Sequence, residues 1–141
     1  MIEVDQICEG SINYGGCSDE KIRHAERELD VTFPESYRYF LKTYGSSIGD
    51  SLEIYGLPDK TDDQPLWINC VEQTIKDRQL VGIPKAYVAI SHDGMESAYY
   101  LDCSESPISK KCVVIEWSPT NNGGKTIFTS FSEFLQSHGK P

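Results

Sequence analysis

His92 and Asp93 stand side by side just before Gly94, and a histidine beside a carboxylate is the raw material of a general-base relay. Their position argues against that use. They close the run YVAISH, which reads as a strand, and neighbouring residues at a strand end point to opposite sides. Gly94 marks a turn. Cys103 follows Asp102. A nucleophilic thiolate needs a lowered pKa and solvent access, and no base stands at a useful spacing, so Cys103 reads as a buried or idle thiol. The other cysteines, Cys8, Cys17, Cys70 and Cys112, form no C-x-x-C pair with it or with one another, unlike the closely spaced ligands of a zinc site. The three histidines are widely separated, with His24 on a charge-rich helix facing solvent. No catalytic set, no metal site and no cofactor is expected.

Recognition is the chemistry that remains. Tyr55 beside Gly56 and the pair Glu116-Trp117 combine aromatic rings and acids near loops, as interface anchors do. The acids Asp59, Asp62 and Asp63 lie in a loop fenced by Pro58 and Pro65, and Asp93 and Glu96 lie in a second acidic loop. These eight residues are the candidate partner-binding set. For each ring the alternative is core filling; for the loop carboxylates it is simple solvation.

Charge narrows the partner. The chain carries a formal net charge of −9. Phosphate backbones and anionic membrane are repelled by it, whereas a basic protein is attracted and steered. The opening MIEVDQICEG is acidic and lacks the basic start and apolar run of a signal peptide. With an odd number of cysteines, this places the protein in a reducing cytoplasm.

These residues must be positioned by a fold. A length of 141 residues suits one domain, with residues 1–17 as an N-terminal arm and 18–141 as the folded unit. Ser18 reads as an N-cap before Asp19 and Glu20. Ile22, Ala25 and Leu29 then follow at helical spacing, with Glu26 and Glu28 off the stripe towards solvent. In VTFPESYRYFLKTYG, Pro34 suits a first helical position. Tyr37, Phe40, Leu41 and Tyr44 share one face, Tyr39 lies off it as the candidate exposed ring, and Gly45 can end the helix. LEIYGL reads as a short strand. A helix is expected within residues 68–79, with Ile68, Val71 and Ile75 on one face. YVAISH, SAYYLD, VVIEW and KTIFTS read as strands, the first two joined by a turn at Asp93-Gly94 and the last two by PTNNGG. Ser130 and Glu133 form a capping-box pattern before a short helix carrying Phe131, Phe134 and Leu135. Consecutive strands with helices segregated from them predict an α+β domain, a mainly antiparallel sheet with helices on one side and at the ends.

The landmarks, in this order, resemble the SMI1/KNR4 family of the SUKH superfamily. The helix end from Glu26 to Leu29, Phe33-Pro34 and the aromatic helix into Gly45 form the opening. I-Y-G-L at residues 54–57, Pro84 before a strand, Asp93-Gly94 before Tyr100-Leu101-Asp102, the Trp117 strand and S-F-S-E-F-L at residues 130–135 follow. The resemblance spans residues 18–136. Phe33 replaces a more usual leucine, and one glycine rather than two follows the aromatic helix. What the resemblance implies is a non-catalytic binding module, with bacterial members acting as immunity proteins that neutralise a toxin, often a nuclease or deaminase. An acidic member could then occupy a basic toxin cleft. The alternative it leaves is an adaptor or regulator with no toxin partner. The neighbouring reading frame would separate the two.

Overall fold

A computed structural model of the chain describes residues 5, 8, 12–13, 15–48, 53–57, 69–92, 97–104, 112–118 and 124–138. The helices are α1 (Asp19–Leu29), α2 (Glu35–Thr43), α3 (Cys70–Leu80) and α4 (Phe131–His138). The strands are β1 (Ile12–Asn13), β2 (Ser47–Ile48), β3 (Glu53–Ile54), β4 (Tyr87–His92), β5 (Ala98–Asp102), β6 (Val113–Trp117) and β7 (Lys125–Phe128). They form two antiparallel sheets, a small one in the order β1-β2-β3 and a larger meander β4-β5-β6-β7. The α+β expectation holds, with the strands divided between two sheets rather than gathered in one.

Local signals set the helix ends. Ser18 is extended at the N-cap of α1 and its hydroxyl accepts the Lys21 N–H at 3.2 Å. Asn69 caps α3 through the Val71 and Glu72 N–H groups, and the Ser130 hydroxyl accepts the Glu133 N–H at 3.1 Å. Pro34 stands at the N-cap of α2, one place before the first helical residue. Gly45 leaves that helix with φ +76, and a Cβ there would come within 2.0 Å of the Gly15 carbonyl oxygen. Only glycine permits both the left-handed turn and that backbone approach.

The aromatic helix faces inward. Tyr37, Phe40 and Leu41 are fully buried and Tyr44 is half-buried. Tyr37 and Phe40 pack against Phe131 of α4. Tyr39 is not the exposed ring its place off the stripe predicted. It is half-buried, and its hydroxyl donates to Asp5, as the Tyr44 hydroxyl does. Those two bonds hold the Asp5 carboxyl below the usual carboxylate range. Residues 1–17, expected as an arm, contribute β1, Asp5 and the buried Cys8.

Glu26 also departs from expectation. It is only 8% exposed, because its carboxylate accepts the Phe33 N–H at 2.7 Å and pairs with Arg38 of α2 at 2.6 Å. The link sets the corner between α1 and α2. In α3 the inward face joins the buried Cys70 and the expected Val71 to two polar residues: the Thr74 hydroxyl accepts the Ala89 N–H of β4, and Asp77 accepts the Tyr100 hydroxyl. Ile75 is only half-buried, and Ile68 lies outside the described residues. Gly82, with φ +80, turns the chain after α3 before Pro84 is reached.

Burial holds several ionisable groups in their neutral forms. The Tyr37 and Tyr100 hydroxyls are raised well above 10.0, and burial pushes the Cys70 thiol up to about 12 from 9.0. Above pH 9 the unfolded chain therefore releases protons that the native protein retains, and stability must fall as pH rises. Melting temperature is expected to drop steadily between about pH 9 and about pH 11; a flat profile across that range would contradict this burial.

Candidate functional site

The meander brings together residues far apart in the chain. Its register places Tyr87 opposite Asp102, Tyr100 opposite Ile115, and Ala98 opposite Trp117. Opposite residues and their second neighbours share a face, so Tyr87, Tyr100, Asp102 and Trp117 lie on one side of the sheet. The Tyr87 and Tyr100 ring centroids are 6.0 Å apart. Trp117 stands edge-on to both, at 6.2 Å and 6.3 Å.

Tyr100 is the buried member, tied to α3 by its 2.6 Å bond to Asp77. Tyr87 and Trp117 are half-buried and pack against the edge of the core. Gly124 covers another part of Trp117: a Cβ there would come within 3.0 Å of the indole and 2.7 Å of Ile115. The indole is thus held by packing. Asp102 supplies charge beside the rings. It accepts the Ser104 N–H at 3.0 Å, and burial followed by the Asp102 charge raises the Tyr87 hydroxyl. The two rings, with a carboxylate at their edge, make a preformed surface. It can dock a surface with little ordering cost.

Of the eight candidate residues, Tyr55, Glu116 and Trp117 lie among the described residues, and these three do not share one face. Glu116 and Trp117 are consecutive in β6 and face opposite sides of the sheet. Glu116 shares its side with Tyr99, which packs on Phe134 of α4. Tyr55 is 7% exposed. Its N–H donates to the Ile90 carbonyl, its own carbonyl accepts the Tyr37 hydroxyl, and burial pushes its hydroxyl up to about 12. Its ring fills the core at the junction of the two sheets. Asp59, Asp62, Asp63, Asp93 and Glu96 lie outside the described residues.

Tyr87 and Asp102 belong to the face and were not singled out from sequence. The signal was present in the period of two through Ala98, Tyr100 and Asp102, once the hairpin register is applied. Cys103 is buried, and a hydrogen bond with Cys112, followed by desolvation, raises its thiol far above neutral pH. At neutral pH it is a thiol rather than an activated nucleophile. His24 lies on the surface of α1, 3.3 Å from Glu28. Among the described residues no group of three His, Cys, Asp or Glu side chains could hold a metal ion, and no helix is long and apolar enough to cross a membrane.

Residues 4–138 match the family described as SMI1-KNR4 cell-wall, SUKH_5. Among solved structures, a crystal structure of a protein from Pseudomonas syringae pv. tomato is similar over 96% of this chain and 94% of that one. Its TM-score is 0.69 at 17% sequence identity, a likeness that shows the fold.

Proposed function

Because the chain belongs to the SMI1-KNR4 family of the SUKH superfamily, we propose that it is an immunity-type binding protein that captures a basic toxin domain, such as a nuclease, and neutralises it in the cytoplasm. The observation that carries this reading is the half-open aromatic face of Tyr87 and Trp117 beside Asp102, on a chain of net charge −9. The rings provide the buried anchor and the acids provide steering. The chain's five cysteines, an odd number, suit a reducing compartment. The family is generally non-catalytic, and binding alone accounts for the proposed role.

Charge and anchor act on different rate constants. Association with the toxin encoded beside this gene should slow as salt rises. Replacing Asp59, Asp62 and Asp63 together by Asn removes three of the nine excess negative charges and should slow association further at low salt. Trp117→Ala should instead speed dissociation about 30-fold, the loss of a central aromatic anchor, with circular dichroism confirming that the variant is folded. A salt-independent association rate, unmoved by the triple change, would remove the electrostatic part of the account.

A further inference from the structure

Cys103 and Cys112 lie one residue beyond the ends of β5 and β6. The register pairs Asp102 with Val113, and one further step sets Cys103 directly opposite Cys112, with both side chains on the same side. The Cys103 N–H donates to Ala86 at 2.9 Å, on the β4 side. In an antiparallel sheet a residue's N–H and C=O point to the same neighbour. Towards Cys112, therefore, Cys103 occupies a non-hydrogen-bonded position. Such pairs bring their Cα atoms to about 4.5 Å and their side chains closest together, inside the span a disulfide bridges. Cys112 is also the first cause that raises the Cys103 thiol. Cys103 also lines an open pocket of about 400 Å³ alongside the exposed Arg23 and Arg27 of α1. Cys17, by contrast, donates its thiol to the Leu41 carbonyl, and Cys70 is fully buried.

We propose that Cys103 and Cys112 form a dithiol site that a low-molecular-weight disulfide entering through this pocket converts to an intramolecular disulfide. Cys103, as thiolate, attacks one sulfur of the oxidant. The oxidant's S–S bond breaks, and one thiol leaves carrying the proton that Cys103 gave up. Cys112 then loses its proton and attacks the Cys103 sulfur, and the second thiol leaves with that proton. Two electrons pass from the protein to the oxidant, which is reduced to two thiols. The first step is slow, because the neighbouring thiol and burial keep Cys103 protonated. The second is intramolecular and fast.

Glutathione disulfide is the probe, applied to the full chain and followed by intact mass and peptide mapping after alkylation. The expected product is lighter by two hydrogens, cross-linked between Cys103 and Cys112, and melts about 5–10 °C higher. Its formation rate should rise roughly tenfold per pH unit below the thiol pKa. Cys112→Ser should stop at the first step and keep one glutathionyl group on Cys103. Three results would each overturn the proposal: a stable glutathionyl adduct on the unmutated protein, a cross-link between Cys17 and Cys70, or an unchanged native chain under conditions that oxidise the urea-unfolded one.

Discussion

Phe40→Ala is expected to destabilise the protein by about 3–5 kcal/mol, the usual cost of truncating a fully buried phenylalanine. Phe40 has no exposed surface. Its ring lies 5.8 Å from Tyr37, 6.3 Å from Tyr44 and 5.9 Å from Phe131, so it joins α2 to α4. The surrounding rings are large and already packed on one another, which leaves little freedom to collapse into the space. Urea unfolding measures the change. If the Ala variant is too unstable to study, Phe40→Leu should lose less and report the same site. A loss under about 1 kcal/mol for Ala would mean that the aromatic helix is not the core of the fold.

Arg38→Ala should cost about 2–4 kcal/mol, out of proportion to the removal of one ion pair. The Glu26 side chain is 9% exposed against 43% for Arg38, so the truncation strands a carboxylate in a poorly solvated corner. Its remaining bond is to the Phe33 N–H. The Arg38 exposure moderates the figure, since the native pair is only partly dry. The contrast is Lys42 with Asp19, 3.1 Å apart but with side chains 52% and 62% exposed. Asp19→Ala should change stability by no more than about 1 kcal/mol. Equal losses for Arg38→Ala and Asp19→Ala in urea unfolding would show that burial of Glu26 does not matter to the fold.

The pairing of Glu26 with Arg38 also shows where sequence reading stopped. Helix caps, the aromatic stripe and the four strands of the meander were legible because each is written in residues a few places apart. Ser18 with Lys21, or Phe40 with Tyr37, needs nothing else. Glu26 looked solvent-facing because its partners lie 7 and 12 residues away. Tyr39 looked exposed because Asp5 is 34 residues distant. On α3 hydrophobic spacing found Val71, which is buried, but it picked Ile75 where the inward residues Thr74 and Asp77 are polar. The opposed directions of Glu116 and Trp117 follow from strand alternation alone, whereas the grouping of Trp117 with Tyr87 and Asp102 required the register of three strands.

The proposal requires the neighbouring reading frame to encode a basic toxin domain, and titrating this protein into that purified product while following the product's own catalytic activity tests the central claim most directly. The account predicts that activity disappears at about one equivalent, as stoichiometric capture by a tight protein–protein interface requires. It also predicts that Trp117→Ala needs a large excess to achieve the same inhibition. A toxin that keeps full activity in the presence of saturating protein would contradict the account.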